Sequence, residues 1–215
     1  MKTLKIPEAT IIRLSVYSRY LAQVDRQGVV TISSGQIAAG TGVSPAQVRK
    51  DLAYFGEFGT RGVGYSVKDL YWHLIKILGL NTIWSVVIIG AGNLGTALTM
   101  YGGFRERGFK VVGVFDNAPD KIGSYLNGLE IYPMERMKEV IDRDKAQIAI
   151  IAVPAEAAQA VADELAETEI KAILNFAPRV LNIPSHIELR NVDLSVNLEI
   201  LTFNLASRRS LKTGK

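Results

Sequence analysis

A glycine-rich loop and a following aspartate have the residue types and the spacing of a dinucleotide-binding site. Residues 90–95 read Gly-Ala-Gly-Asn-Leu-Gly and follow an apolar segment, 84–89, that is predicted to be a strand. Asp116 ends the next predicted strand, 21 residues after Gly95. In such loops the first glycine makes the tight turn, the second lets the backbone approach a pyrophosphate, and the third allows close packing of helix on sheet. The cofactor-binding residues predicted here are Gly90, Ala91, Gly92, Asn93, Leu94, Gly95, Asp116 and Asn117.

The aspartate also favours one dinucleotide over another. The Asp116 carboxylate is expected to accept hydrogen bonds from both hydroxyls of the adenosine ribose, and its charge would repel a 2′-phosphate. The next residues, Asn117 and Ala118, supply no cation. The motif therefore favours NAD(H) over NADP(H), with the phosphates held at the start of the following helix. A glycine turn that binds no ligand, with Asp116 capping a loop, is the alternative.

The ends of two later predicted strands are expected to line the nicotinamide half of this site. Ligands of open α/β sheets bind beyond the carboxyl ends of the strands, and residues 153–154 and 175–178 lie at such ends. The alternative is that the prolines there only begin or break helices. The residues predicted to line the nicotinamide half are Val153, Pro154, Asn175, Ala177 and Pro178.

A second candidate site lies in residues 43–65, where a short basic helix precedes a glycine-rich segment. Ser44 is a favoured N-cap, Pro45 suits the first helical position, and Gln47 is expected to complete a capping box with Ser44. One side of this helix is apolar, which predicts that it packs on a core. The residues of the apolar stripe are Val48, Leu52 and Phe55.

The other side of the helix carries residues that can read DNA. Arg49 and Lys50 lie off the apolar stripe, and Gln47 and Tyr54 flank it. A short helix that presents Gln, Arg, Lys and Tyr suits the major groove. A surface helix with two solvated cations is the alternative.

The glycine-rich segment is expected to form the wing of a winged helix-turn-helix domain. Gly59, Gly62 and Gly64 permit a hairpin with positive φ angles. Arg61 would lie near its tip, where a basic side chain can enter the minor groove and read its width and A·T content. The DNA-binding residues predicted from both parts are Ser44, Gln47, Arg49, Lys50, Tyr54, Arg61 and Gly62.

Composition and charge narrow the class of protein. A hydrophobic content of 48% predicts a folded core, and the absence of cysteine excludes disulfides, thiol catalysis and cysteine metal sites. The longest apolar runs, near 84–91 and 148–153, are too short to span a bilayer, so we expect a cytoplasmic protein. Residues 1–84 contain ten Lys and Arg against five Asp and Glu, whereas residues 85–215 contain 15 against 16. The excess of positive charge in the first third predicts a polyanionic partner for that part.

The pattern of predicted elements changes near residue 84. Before it, helices alternate with glycine turns, and a helix from 7 to 27 should bury one face. Its predicted apolar stripe consists of Ile11, Leu14, Tyr17 (or Ser18) and Leu21. A short strand or helix entry (31–33), a helix (34–39), a tight turn (40–42), the basic helix and a helix from 66 or 67 to about 79 complete this part.

After residue 84, apolar strands alternate with amphipathic helices, which predicts a parallel sheet covered on both faces. The expected strands are 84–89, 110–115, 146–153, 170–175 and 187–192, and the expected helices are 93–107, 133–142, 155–167 and 197–210. The last helix would pack on its own domain or on another subunit. The predicted fold is α/β, a winged helix-turn-helix (1–80), a Rossmann-like doubly wound parallel sheet (84–192) and a C-terminal dimerisation helix and tail (193–215).

Residues for hydride transfer to a carbonyl substrate are missing from the pattern. His73 and His186 have no convincing carboxylate partner by sequence, no Tyr-x-x-x-Lys pair occurs, and metal ligands do not cluster. About 130 residues follow Trp84, too few for a separate substrate domain. We therefore expect a dinucleotide-binding protein that is not an enzyme and holds no metal.

Four segments carry a family resemblance that covers nearly the whole chain. They are 48–56 (VRKDLAYFG), 59–65 (GTRGVGY), the loop 90–95 and 173–178 (ILNFAP). In combination they closely resemble the Rex family of redox-sensing transcriptional repressors. The resemblance implies a homodimer that binds double-stranded palindromic operator DNA when NADH is scarce and releases it when NADH binds. NADH and NAD⁺ would be regulatory ligands, and the protein would read their ratio.

The resemblance also implies roles for single residues. Arg49 and Lys50 would contact DNA from the recognition helix, and Arg61 would enter the minor groove. The C-terminal helix would be exchanged between subunits. Arg19, Tyr101 and Asp193 match positions that link the two domains, while Leu194 stands where some relatives have an aromatic side chain.

Two other hypotheses stay open at this point. One is a small NAD(H)- or CoA-dependent enzyme whose basic N-terminal domain only mediates assembly. The other is a constitutive architectural DNA-binding protein with a vestigial nucleotide domain.

Overall fold

The computed structural model describes residues 6–56, 58–60 and 62–213 and divides between Thr82 and Ile83 into two compact units. The order of elements in the first unit is that of a winged helix-turn-helix, as predicted. Its elements are α1 (Glu8–Arg26), β1 (Thr31–Ile32), α2 (Ser34–Thr41), α3 (Pro45–Ala53), β2 (Tyr65–Ser66) and α4 (Val67–Ile77). Strands β1 and β2 pair antiparallel.

Apolar side chains from all four helices of this unit pack into one core. Leu14, Tyr17 and Leu21 of α1 are buried at the spacing of one helical face. They belong to the same core as Val48 of α3 and Leu74 of α4. The core holds α3 by Val48 and Leu52 of its predicted apolar stripe, whereas Phe55 lies beyond the end of α3 and is only partly buried.

The first turn of α1 departs from the predicted apolar stripe. Ile11 is 45% exposed, so its prediction as a core residue is wrong. Thr10 is buried instead, and its hydroxyl donates to a carboxylate oxygen of Asp51 in α3 over 3.2 Å. A buried carboxylate needs hydrogen-bond donors, and α1 turns its polar side toward α3 to supply them.

The predicted capping box lies at a different helix. The Ser44 hydroxyl accepts from the Gln47 N–H (3.1 Å), but the Gln47 side chain donates to Asp51 over 2.9 Å and does not return to the cap. The complete box forms at the start of α2, between Ser33 and Gln36. The prediction for Ser44 and Gln47 is therefore half wrong, because Asp51 competes for the glutamine.

The predicted turn at 40–42 is shorter than expected, because α2 continues through Thr41 and ends at Gly42 in the left-handed conformation. A Cβ at Gly40 would overlap the ring of Tyr20. Gly40 thus permits close packing of α2 against α1 and does not form a turn.

The second unit is built on a seven-stranded sheet of its described residues, in the order β5-β6-β4-β3-β7-β8-β9. All neighbouring strands pair parallel except β5 and β6. The strands are β3 (Trp84–Ile89), β4 (Phe109–Phe115), β5 (Tyr125–Leu126), β6 (Leu129–Tyr132), β7 (Ile148–Ile151), β8 (Ala172–Asn175) and β9 (Glu188–Asn191). The helices are α5 (Asn93–Met100), α6 (Gly102–Glu106), α7 (Met137–Asp144), α8 (Ala155–Ala166) and α9 (Leu194–Thr213).

Strand β3 is the point at which the chain changes direction across the sheet. It pairs with β4 on one side and with β7 on the other. The loops that follow β3, β4 and β7 therefore meet at one edge, where ligands of open α/β sheets bind. This topology confirms the predicted Rossmann-like fold and places the glycine loop at its centre.

Several elements of the second unit differ from the sequence prediction, and one of them is the expected helix 197–210, which spans Leu194–Thr213. The hairpin β5–β6 was not predicted; its turn uses Asn127 (φ 51°) and Gly128 (φ 79°), both left-handed. The expected helix 93–107 is two helices, because the extended conformation of Tyr101 (ψ 103°) separates α5 from α6. The expected helix 133–142 begins as a 3₁₀ turn and extends as α7 to Asp144.

Helix α9 presents apolar side chains that its own chain leaves uncovered. The exposed fraction of Phe203 is 71%, and its apolar neighbours are also more than 40% exposed. These neighbours are Leu194, Val196, Leu198, Ile200, Leu201 and Leu205. Clustered apolar side chains that are exposed to this degree are typical of an interaction surface.

No helix within the described part of the chain combines the length and the apolar character that a membrane span requires.

Candidate nucleotide cleft and nucleic-acid interface

The three glycines of the loop differ in the space around them. Gly90 has φ +102°, and a Cβ there would lie 2.6 Å from the carbonyl oxygen of Ala152. A Cβ at Gly95 would overlap the carbonyl oxygen of Gly90, whereas one at Gly92 would meet nothing within 4 Å. The first and third glycines are required for the turn and the packing, and the second faces open space.

Gly92 is also the N-cap of α5, and no side chain caps that helix end. Asn93 and Leu94 form its first turn, where backbone N–H groups have no intrahelical partner. These groups and the helix dipole suit an anion. The loop therefore has the geometry to hold a pyrophosphate.

Asp116 is held at the end of β4 by three donors. Its Oδ2 accepts from the Ala91 N–H (2.7 Å) and from Nζ of Lys121 (3.1 Å), and its Oδ1 accepts from the Ala118 N–H (2.9 Å). Burial opposes the charged form of Asp116, but these hydrogen bonds outweigh it and hold the pKa of the carboxyl below its usual range. The carboxylate stays ionised at neutral pH.

The expectation that no cation lies near Asp116 holds only for the next two residues. A turn that starts at Ala118 brings Lys121 back onto the carboxylate, because the Lys121 N–H donates to the Ala118 carbonyl oxygen (3.0 Å). Sequence reasoning stopped at Ala118 and missed this side chain.

The loop and Asp116 open onto a cleft of about 530 Å³. Gly90, Gly92, Asp116 and Asn117 line it, together with Val153 and Pro154 after β7. Sequence reasoning did not identify the remaining lining residues. They are Ile89, Ala118, Lys121, Met134, Ala152, Ala157, Ala160, Val161 and Glu164.

The residues predicted after β8 lie outside this cleft. Asn175 is fully buried, and its amide group donates to the Ala177 and Arg179 carbonyl oxygens and to Asn191. Its side-chain oxygen accepts from the Ala177 N–H. Asn175 therefore shapes the loop after β8, Ala177 is buried there, and Pro178 is exposed. A direct contact of Asn175 with ligand is disfavoured, since its side-chain amide is already hydrogen-bonded within the protein.

In the first unit, the exposed face of α3 carries the predicted cations. Arg49 and Lys50 are exposed, and an Arg49 guanidinium nitrogen donates to the Ser34 hydroxyl over 3.1 Å. Ser44 is exposed at the N-terminus of α3, and Tyr54 is half-buried at its C-cap. With Gln47 in its first turn, five of the predicted DNA-binding residues thus lie on or beside one helix.

Behind that face, Asp51 anchors α3 through a buried network that sequence reasoning missed. Arg13 donates to both carboxylate oxygens (2.6 and 2.7 Å), and Tyr17 donates its hydroxyl over 2.8 Å. Thr10 and Gln47 complete the set. Burial opposes the charge of Asp51, yet the donors outweigh it and lower the pKa of the carboxyl. The Gln47 amide is therefore occupied by Asp51.

The wing is closed by backbone hydrogen bonds and by close backbone approaches at two glycines. Thr60 and Gly64 exchange backbone hydrogen bonds of 3.0 and 3.1 Å. A Cβ at Gly59 would lie 2.5 Å from the Gly64 carbonyl oxygen, and one at Gly64 would lie 2.6 Å from that of Ile32. Gly62 is exposed with φ +85°. The predicted tip residue Arg61 lies outside the described residues.

The three predicted coupling residues are exposed polar side chains. Arg19 lies on α1, and Tyr101 lies between α5 and α6, where its ring packs edge-on against Phe104. Asp193 precedes α9, and its Oδ1 accepts from the N–H and hydroxyl of Ser195, which lower the pKa of its carboxyl. Their role in coupling stays a prediction.

The histidines do not form a reactive centre with a carboxylate or a metal site in the described residues. Nδ1 of His73 donates to the Asp69 carbonyl oxygen (2.7 Å), and His186 is exposed. No group of His, Asp and Glu residues in the described ranges has the arrangement of a metal site.

Comparison with known proteins identifies both units and then the whole chain. Residues 81–179 match the family model of a CoA binding domain, and residues 5–53 match that of a putative DNA-binding protein N-terminus. A redox-sensing transcriptional repressor Rex from Desulfitobacterium hafniense is 67% identical over 210 residues, which cover 98% of this chain and 100% of the relative. The chain belongs to the Rex family of redox-sensing transcriptional repressors.

Other Rex proteins agree with this assignment. A Rex repressor from Streptomyces coelicolor is 46% identical over 93% of this chain and 77% of its own. The crystal structure of RSP in complex with β-NAD⁺ and operator DNA has a TM-score of 0.91 and 39% identity, and covers 97% of this chain and 96% of RSP. RSP in complex with β-NADH has a TM-score of 0.87, 38% identity and full coverage of both chains. Membership of a repressor family decides against the enzyme hypothesis.

Proposed function

We propose that this Rex-family protein binds operator DNA through α3 and the wing, and binds NADH or NAD⁺ in the cleft beside Asp116. DNA is released when NADH binds. The proposal rests on two features that occur in one chain. One is the exposed basic helix α3, and the other is a glycine-loop cleft that is lined by the ionised carboxylate of Asp116. RSP, which resembles it over nearly its whole length, has been crystallised with NAD⁺ and operator DNA and with NADH.

In the cleft, the first turn of α5 holds the pyrophosphate and Asp116 contacts the adenosine ribose. Val153 and Pro154 line the way to the nicotinamide end, and Leu194 is the proposed apolar neighbour of the nicotinamide ring. The oxidised ring is a cation and the reduced ring is neutral. Burial of an unpaired charge is costly, so an apolar pocket favours NADH.

The functional form is a homodimer that exchanges α9. The exposed apolar side chains of α9 support this, because a second copy of the chain would remove them from water. A two-fold symmetric dimer reads a palindromic operator, with half-sites one helical turn or a multiple of it apart. NADH closes the dimer and makes the two recognition helices unable to occupy both half-sites, with Arg19, Tyr101 and Asp193 as the coupling residues.

The difference in NADH affinity between the two forms of the protein sets how far NADH can shift their populations. NADH can shift the equilibrium only by its differential affinity for the closed form. A shift from 1:99 to 99:1 needs about 5.5 kcal/mol, shared between two sites in a dimer. NAD⁺ competes for the cleft without completing closure. We place the protein in the cytoplasm, where chromosomal DNA and the NAD pool meet.

The test is fluorescence anisotropy of labelled promoter fragments from the source genome, at one fixed salt concentration because phosphate contacts make affinity salt-dependent. Protein is titrated without nucleotide, with NAD⁺ and with NADH. Tight specific binding that NADH abolishes and NAD⁺ does not is the expected result. Specific binding that neither nucleotide changes would support the constitutive architectural protein instead.

A further inference from the structure

We infer that Lys121 is a second ribose-binding and specificity-determining residue of the nucleotide cleft, acting beside Asp116. Its ammonium donates to one ribose hydroxyl of the adenosine while Asp116 accepts from the other. The inference rests on the proposed nucleotide site and concerns which groups read the ribose there.

Asp116 has few acceptor positions left for a ligand. An ionised carboxylate offers about four lone-pair sites. The N–H groups of Ala91 and Ala118 and the Nζ of Lys121 already occupy three of them. One ribose hydroxyl fills the fourth site, and a second would have to share a lone pair, as donors do at the enclosed carboxylate of Asp51, which accepts five hydrogen bonds. In the open cleft, a neighbouring group can contact the second hydroxyl without that crowding.

Lys121 faces the cleft and has hydrogen-bond donors that Asp116 does not use. Its ammonium carries three N–H donors, and Asp116 takes one over 3.1 Å. The Lys121 side chain is 37% exposed and lines the same cleft, so its remaining donors are accessible to a ligand. Among the described residues that line the cleft, Lys121 has the single positive charge.

Backbone hydrogen bonds hold the turn that contains Lys121 in place without a ligand. Its N–H donates to the Ala118 carbonyl oxygen (3.0 Å), and its own carbonyl oxygen accepts from the Ser124 N–H (3.0 Å). The Gly123 N–H donates to Ile131 of β6 (2.9 Å), which ties the turn to the sheet. A preorganised donor loses less conformational freedom on binding than a mobile one.

Lys121 also changes how the cleft discriminates between nucleotides. Asp116 alone would repel the 2′-phosphate of NADPH, whereas a lysine within hydrogen-bonding distance offsets part of that repulsion. A cleft with both Asp116 and Lys121 therefore still prefers NADH to NADPH. The preference is weaker than it would be with Asp116 alone.

The test is isothermal titration calorimetry of the full chain with NADH, NADPH and an NADH analogue that lacks both hydroxyls on the adenosine ribose. Lys121→Met should raise the dissociation constant for NADH by about threefold to tenfold, the effect of losing one hydrogen bond from a partly exposed side chain. The constant for NADPH should rise by more, and that for the dideoxy analogue should stay unchanged. Lys121→Arg keeps a donor and should restore most of the NADH affinity.

Lys171→Met is the matched control, because Lys171 makes a similar ion pair with Glu169 (3.0 Å) but does not line the cleft. A Lys121→Met protein with wild-type affinities for NADH and NADPH would overturn the inference while leaving the proposed function intact. Equal losses for NADH and the dideoxy analogue would assign Lys121 a structural role only. Failure of the unsubstituted protein to bind NADH would overturn the proposed function and this inference together.

Discussion

Each unit of the molecule contains a buried aspartate whose pKa is lowered, and the two differ in what surrounds them. Asp51 in α3 is inaccessible and accepts five hydrogen bonds, all from side chains. Asp116 accepts three, two of them from backbone N–H groups, and it lines an open cleft. A carboxylate saturated by its own protein stabilises the fold, whereas one with an acceptor site facing a cleft is available to a ligand.

The largest effect is expected from removing the saturated carboxylate. Asp51→Ala leaves Arg13 and Tyr17 without their acceptor in a buried site, and breaking a buried pair in this way costs roughly 3–5 kcal/mol. Urea unfolding followed by circular dichroism measures it. Asp25→Ala on the exposed side of α1 is the control and should stay within about 0.5 kcal/mol of wild type. A similar, small change in both variants would refute the anchoring role of Asp51.

The cleft carboxylate should instead affect ligand binding most strongly. Asp116→Ala removes a charge-assisted hydrogen bond to the ribose, and we expect NADH affinity to fall about tenfold to a hundredfold. Calorimetric titration with NADH measures this loss, with Asp51→Asn as the comparison variant whose substitution lies in the other unit. Unchanged NADH affinity in Asp116→Ala would show that the ribose contact is misplaced.

A smaller effect is expected on the exposed face of α3. Lys50→Ala should weaken operator binding by about threefold to tenfold and reduce the slope of log affinity against log salt by about one, as for loss of a phosphate contact. NADH affinity should not change, because Lys50 lies in the other unit from the cleft. Anisotropy over a salt series, with Lys68→Ala of α4 as a second exposed lysine, measures the effect. A lost NADH affinity would contradict separate sites.

The smallest effect is expected on the pH dependence of stability. Because folding lowers the pKa of Asp51, its contribution is fully present above its unfolded value of about 4 and is lost as pH falls through the folded value. Denaturant unfolding between pH 7 and pH 3 should therefore show a smaller loss of stability in Asp51→Asn than in wild type. Parallel curves would mean that Asp51 does not contribute to acid sensitivity.

The contrast between Asp51 and the glycine-loop site also explains which features the sequence could predict. The roles of Gly90 and Gly95 are local, because their spacing along the chain already fixes the turn and the packing. Asp51 could not be recognised in the same way, since its donors Arg13 and Tyr17 lie 38 and 34 residues away. The sequence of α3 suggests an exposed basic helix, and the burial of Asp51 follows only from the packing of α1 on α3.

Other omissions have different physical causes. The hairpin at Asn127 and Gly128 had a recognisable signal, an Asn-Gly pair between apolar residues, and was overlooked. The capping box was misassigned because Ser33 and Gln36 have the same spacing as Ser44 and Gln47, and competition from Asp51 decides between them. Lys121 was missed because the turn after Asp116 reverses the chain within five residues.

Coupling between the nucleotide cleft and the DNA-binding surface is tested by the affinity for NADH with and without saturating operator DNA. Thermodynamic linkage requires that, if NADH weakens DNA binding by a given factor, DNA weakens NADH binding by the same factor. Titrating NADH into the free protein and into the protein–operator complex, with NAD⁺ as the parallel ligand, gives that factor. We expect a large factor for NADH, equal in both directions, and a small one for NAD⁺. An NADH affinity that operator DNA leaves unchanged would contradict the coupling of the two sites.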